Sequence, residues 1–190
     1  IMIHPKYIRT NRLIALFVLV LSFLVYYDTM APSVSYWDCG EFIAVSYTLG
    51  VPHPPGSPLF LLLGRMASLL PFSEDIAFRV NLLSPLSSAF AVFFLYLIIV
   101  QVFNHWRGKS GTSRDALIAF GAGIVGSLTF AFTDSHWFNA VEAEVYAFST
   151  FFTAIVVWLI LLWSEKADEE GHERYVLIIA YMIGLATGLH

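Results

Sequence analysis

The sequence predicts an all-α integral membrane protein with about five transmembrane helices and a large first external loop that carries surface helices. Three observations predict it. Charged residues make up 13% of the 190-residue chain, about half the ~25% usual in a soluble domain. Hydrophobic residues make up 58%, the mean hydropathy is +0.73, and the charges gather between apolar runs. Those runs approach the ~20 residues that a membrane span needs. The same composition excludes other classes. A net charge of −4 and a pI near 5.8, with no basic stripe, argue against nucleic acid as a partner. Cys39 stands alone, which excludes an intrachain disulfide and a cysteine-based metal site.

Residues 1–12 carry Lys6, Arg9 and Arg12 and no acid. This flank places the N-terminus in the cytoplasm. The first apolar run, Leu13–Tyr27 with its flanks, is too long for a cleaved signal and lacks a small-x-small cleavage site, so it reads as a retained signal anchor. Tyr26, Tyr27, Tyr36 and Trp37 form an aromatic belt at its external end. The next apolar piece, Leu59–Leu70, is about 12 residues long, contains Gly64 and Arg65, and lies between Pro58 and Pro71. It is short for a span and suits a surface helix. Charge decides its course. If it spanned, Arg107, Lys109 and Arg114 would lie outside; if it lies along the surface, they fall inside, as the positive-inside rule requires. Residues 28–78 are therefore one external loop with surface helices at about 38–49 and 57–70.

The second span runs from about Val80 to Phe103, with Asn81 and Pro85 in its first turns. The third covers about Ala116–Thr133, where Gly121, Gly123 and Gly126 permit close helix approach. Residues 134–146 form an external segment, Phe148–Trp163 the core of the fourth span, and Glu165–Arg174 a solvated cytoplasmic turn. Tyr175–His190 begins a fifth span, so residues 1–190 read as one transmembrane module, the N-terminal part of a longer protein.

The chemistry gathers on the external side. Trp37-Asp-Cys-Gly-Glu-Phe42 holds Asp38 and Glu41 three residues apart, on one face if they share a helix. Trp37 and Phe42 are expected to pack these acids against the membrane surface, where a carboxylate can have a tuned pKa and act as a base. A salt bridge to Arg65 or Arg79 is the structural alternative. His53 sits in Pro52-His-Pro-Pro-Gly56, a stiff loop in which prolines fix φ and remove donors. It reads as a ligand, a phosphate contact or a packed ring. Glu142 and Glu144 are two residues apart; on a helix they diverge by roughly 200°, so one at most faces a shared site. The spacing of these groups matches no specific metal motif, and no metal or other cofactor is expected.

Trp37-Asp-Cys-Gly-Glu-Phe42, Leu49-Gly-Val-Pro-His-Pro-Pro-Gly-Ser-Pro-Leu-Phe60, Phe78-Arg-Val-Asn-Leu-Leu-Ser84 and Ala140-Val-Glu-Ala-Glu-Val-Tyr146 together resemble a group of bacterial multi-pass membrane proteins. That group is related to the eukaryotic protein O-mannosyltransferases, and both look like GT-C fold glycosyltransferases. The resemblance covers nearly all of residues 13–190. It implies a GT-C-like N-terminal module and transfer of a sugar from a polyprenyl-phosphate donor to a hydroxyl of a protein or glycan acceptor. It also implies an acidic base in the first external loop, here Asp38. The acid that usually follows is replaced by Cys39 and Gly40, with Glu41 beyond them. In this scheme Arg79 contacts the donor phosphate, and His53, Glu142 and Glu144 complete the substrate site. The expected partners are the lipid-linked donor, the acceptor and membrane lipids. The expected place is a bacterial inner membrane, with the site facing the periplasm. A transporter or channel is the competing class, but it predicts charges within the spans, whereas these lie at their ends. A non-catalytic membrane subunit is the third.

Overall fold

A computed structural model describes residues 5–107 and 112–189; Lys109 lies outside the described residues. The described residues are all-helical. After a single 3₁₀ turn at Pro5–Tyr7 come α1 (Ile8–Thr29), α2 (Cys39–Thr48), α3 (Pro58–Leu69), α4 (Ile76–Asn81) and α5 (Leu83–Arg107). Then follow α6 (Ser113–Ala131), α7 (Asp134–Ala140), α8 (Val145–Ser164) and α9 (Glu173–Ala186). The all-α membrane class predicted from composition is borne out. Among the described residues four helices are long and apolar enough to cross a membrane: α1, the run Ile76–Arg107, α6 and α8.

The stretch read as the beginning of a fifth span is helical. It forms helix α9, with 14 residues. Past its end the Gly188 carbonyl accepts a hydrogen bond from Leu59 N–H at 2.8 Å, one of the first-turn donors of α3 that no helical carbonyl can satisfy.

Helix α5 is the axis of the bundle, with α1, α6 and α8 packed along it. Its start is set by Pro85. That ring cannot donate to the Asn81 carbonyl and would clash with it, so α4 ends at Asn81 and α5 begins at Leu83. Helix α6 lies close on α5 because Gly123 and Gly126 have no Cβ; one would come within 2.8 Å of Tyr96 and 2.7 Å of Ile99, respectively. The third glycine read as a packing residue, Gly121, meets nothing within 4 Å.

The two expected surface helices are present as α2 and α3, within a residue or so of the predicted limits. Pro58 sits in the first turn of α3, where its missing N–H is not needed. Twelve residues make α3 about 18 Å long, too short to span. It packs chiefly on α2, α4 and the region of Phe148. A Cβ on Gly64 would lie 2.3 Å from Ser46 Oγ, so α2 and α3 touch backbone to side chain. The 134–146 segment, read as a plain external connection, contains α7. Trp137 Nε1 donates to Thr29 Oγ1 at 3.1 Å and ties α7 to the end of α1. The apolar interior divides in two: one cluster joins α1, α5 and α6, and the other lies under α2, α3, α4 and the start of α8.

Candidate functional site

The site lies where the end of α1, the starts of α5 and α8, and the α2–α3 pair converge. Asn81 holds that junction. It is fully buried, and its amide joins three separate stretches of chain. Nδ2 donates to the carbonyls of Ala31 and Ser33, each at 2.9 Å. Oδ1 accepts from Ala143 N–H at 3.1 Å and from the Cys39 thiol at 3.6 Å. Ala31 N–H donates to the Val141 carbonyl at 2.8 Å, and Glu144 N–H to Ser84 Oγ at 3.3 Å. The loop after α1, the first residue of α2 and the 141–144 segment are thereby fixed to one another. Sequence reasoning placed Asn81 only as a helix residue. The available signal was an amide inside an apolar run, a position where polar groups are costly.

Helix α2 then presents the acids. Asp38 is its N-cap, yet its side chain makes no capping bond, and it remains more than half exposed. Trp37 adopts φ 57°, uncommon for a residue with a side chain, and turns its indole outward with 85% exposure. Phe42 does pack, with rings running in order from His53 to Phe42 (5.9 Å), Phe60 (5.3 Å) and Phe148 (5.6 Å).

Glu41, in the first turn of α2, grips His53 twice. The His53 backbone N–H donates to Oε1 at 2.9 Å, and the ring Nδ1 lies 2.6 Å from Oε2. With Nδ1–H donated to Glu41, Nε2 is left free, 3.9 Å from Asp38 Oδ2. Glu41 thus orients the imidazole and turns its other nitrogen toward Asp38. The salt-bridge alternative fails for both arginines. Arg65 donates to the Tyr47 carbonyl at 2.5 Å. Arg79 donates through Nε to the Ser73 carbonyl at 2.6 Å and through Nη1 to the Ser68 carbonyl at 2.8 Å, pinning the α3–α4 loop.

Glu142 and Glu144 are not on a helix. Residue 144 is extended (φ −133°, ψ 143°), and both acids are buried, at 3% and 6% exposure. The helical divergence expected of them does not arise, because Asn81 and Ser84 hold the 141–144 backbone. Among the described residues Glu142 Oε1 has no hydrogen-bond partner. Burial pushes Glu144 up to about 7, helped by the charges of Glu142 and Asp38. This end of the bundle can therefore hold or release a proton near neutrality. His136, by contrast, is held neutral: burial lowers it to about 4, and its ring packs 4.3 Å from Phe130.

The Glu41–His53 pair gives a pH dependence. Glu41 is held below its ordinary 4.5, first by the His53 ring hydrogen bond and then by the His53 backbone N–H. His53 is held above its ordinary 6.5, first by the hydrogen bond that its ring donates to Glu41. The Glu41 contribution is complete above 4.5 and fades as pH falls through its lowered value; the His53 contribution is complete below 6.5 and fades as pH rises through its raised value. The 52–56 loop is thus held best between those two limits. In an NMR titration the His53 imidazole is expected to titrate above 6.5, and Glu41→Gln to lower it. An unshifted His53 in Glu41→Gln would show that the pair does not hold the loop.

Asp38, Glu41 and His53 offer ligand atoms that all lie within 4.8 Å of one another. A divalent cation could be held there by two carboxylates and an imidazole, a donor set common to several metals.

Comparison with known proteins gives two kinds of match. The family model described as the protein O-mannosyl-transferase TMEM260 N-terminal domain matches residues 38–190. The chain is 29% identical over 174 residues to protein O-mannosyl-transferase tmem260 of Dictyostelium discoideum, covering 90% of this chain and 19% of that protein. It is 30% identical over 159 residues to the Mus musculus protein O-mannosyl-transferase TMEM260, covering 83% of this chain and 20% of that protein. The chain spans about a fifth of the length of the curated relatives it matches. No solved structure matches.

Proposed function

The chain belongs to the family of the protein O-mannosyl-transferase TMEM260 N-terminal domain, and from that premise we propose that it carries the catalytic end of a membrane glycosyltransferase that modifies protein hydroxyls. The observation that carries this reading is Asp38: an exposed, uncapped carboxylate beside an imidazole that Glu41 has oriented. We assign the donor to a sugar on a polyprenyl phosphate, and the architecture to the GT-C type. Support comes from the short helices α2 and α3, which lie beside the long bundle on the side of the acids.

The step is a displacement at the anomeric carbon. Asp38 takes the proton of the acceptor hydroxyl, whose oxygen forms the new bond to the sugar. The bond from sugar to phosphate oxygen breaks, and its electron pair leaves with the lipid phosphate. A positioned base is needed because an unactivated hydroxyl is a poor nucleophile near neutral pH. Charged His53 stabilises the leaving phosphate, held in place by Glu41. Arg79 has spent Nε and Nη1 on carbonyls; we assign Nη2 to the phosphate, in a role secondary to His53. Glu142 and Glu144 line the acceptor side, where Glu144 can pass a proton on. The scheme runs on the protons of these residues.

We place the site on the external face, because Lys6, Arg9 and Arg12 flank the opposite end of α1. The periplasmic face of a bacterial inner membrane rests on the sequence resemblance alone; the two relatives named above are eukaryotic. The full-length protein in proteoliposomes, given labelled mannosyl polyprenyl phosphate and a Ser/Thr-rich peptide, is expected to label the peptide. Labelling from a nucleotide sugar without any lipid carrier would overturn the donor assignment.

A further inference from the structure

A second feature lies at the opposite end of the bundle. The first turns of α1, the later turns of α5, the end of α8 and the start of α9 enclose an open cavity of about 480 Å³. Its walls are apolar: Phe93, Phe94, Leu97, Trp158 and Leu162. Its polar lining is Asn11, Arg12, Gln101 and Tyr175. Fully buried Tyr96 donates to Asn11 Oδ1 at 3.0 Å. That bond fixes the Asn11 amide, whose Nδ2 has no hydrogen-bond partner among the described residues. Asn11 itself is 6% exposed. Arg12 pairs with no acid among the described residues. The lining residue Gln101 donates through Nε2 to Glu165 Oε1 at 2.9 Å.

A space of this size between apolar membrane helices is a poor place for water, which needs two to four polar partners per molecule. Unused donors are the opposite of what a neutral hydrocarbon chain requires. Together they call for an amphiphile with an anionic head: acceptor oxygens for the Asn11 amide and Arg12, and a tail for the aromatic wall. Basic pockets between transmembrane helices on the positively flanked side bind anionic head groups in this way, and arginine matches phosphate oxygens in a fork. A soluble phosphate would satisfy Asn11 and Arg12 but leave the apolar wall bare.

We propose that this cavity is a binding site for an anionic phospholipid of the leaflet next to the basic N-terminal flank, with its phosphate on Arg12 and the Asn11 amide and one acyl chain along Phe93, Leu97 and Trp158. It is separate from the acidic end of the bundle and does not depend on the donor assigned there.

Native mass spectrometry of the full-length protein in neutral detergent tests it, with phosphatidylglycerol and phosphatidylcholine of matched chains as probes. The first phosphatidylglycerol is expected to bind at least about fivefold more tightly than phosphatidylcholine, the preference one arginine near the surface provides. Arg12→Gln should remove that preference; Arg12 is exposed, so the variant is expected to keep its fold. Leu97→Trp, which fills the cavity, should weaken both lipids, with a thermal melt in parallel to show that the bundle is intact. Millimolar glycerol phosphate should not compete. Equal affinity for the two lipids, an unchanged preference in Arg12→Gln, or displacement by glycerol phosphate would each overturn the assignment.

Discussion

Asp38→Asn in the full-length protein is expected to lower sugar transfer by roughly 10²–10⁴-fold, the usual contribution of a positioned base. Expression and thermal stability should stay as they are. Both halves of that expectation come from geometry. The Asp38 carboxylate caps no helix N–H and is more than half exposed. The basic group that pairs with it is His53 Nε2, at 3.9 Å. The fold therefore loses little when the charge is removed. Asparagine keeps the shape and much of the hydrogen bonding but cannot accept the hydroxyl proton. Transfer assays and melting curves on the same preparation check it. A parallel fall in melting temperature would mean that Asp38 holds structure.

Asn81→Leu should have the largest effect on stability. The side chain has no exposed surface, and leucine leaves the carbonyls of Ala31 and Ser33 and the N–H of Ala143 without their partners. The stranded Ala143 N–H is buried and costs about 1–3 kcal/mol, while the Ala31 and Ser33 carbonyls are part-buried and cost less, so a loss of about 2 kcal/mol is expected from thermal or denaturant unfolding in detergent. Activity should fall with it, because Asn81 also accepts from Cys39, the residue that follows Asp38. Asn81→Asp keeps the acceptor but loses both donors, and should fall between wild type and Asn81→Leu. An unchanged melting curve in Asn81→Leu would contradict the role given to this residue.

How far the sequence was legible depended on distance along the chain. The long helices follow from apolar runs, and α3 from a run too short to span between Pro58 and Pro71. Helix α7 was missed because Asp134–Ala140 is seven residues long, too short to show a helical period. The break between α4 and α5 was missed because Pro85 acts four residues upstream, at the Asn81 carbonyl. The meeting of Asp38, Glu41 and His53 was foreshadowed by their shared loop, although the grip of Glu41 on both the ring and the backbone of His53 needed the path through Pro52–Gly56. Glu142 and Glu144 were read on a helix that does not form; what holds them is an amide 62 residues earlier in the chain. Arg79 was read as a phosphate ligand from its place at the end of a span. Its contacts with Ser68 and Ser73 arise from the return of the α3–α4 loop, which no local pattern announces.

The central claim is that Asp38 is the base and that Glu41 acts through His53. Single-turnover transfer of labelled sugar from a lipid-phosphate donor, in wild type, Asp38→Asn and Glu41→Gln side by side with donor binding measured in parallel, tests it most directly. Asp38→Asn should bind donor normally and transfer nothing measurable on the wild-type timescale. Glu41→Gln should transfer more slowly than wild type, with weakened donor binding as His53 loses its partner. Full activity in Asp38→Asn together with loss in Glu41→Gln would make Glu41 the base and contradict the assignment.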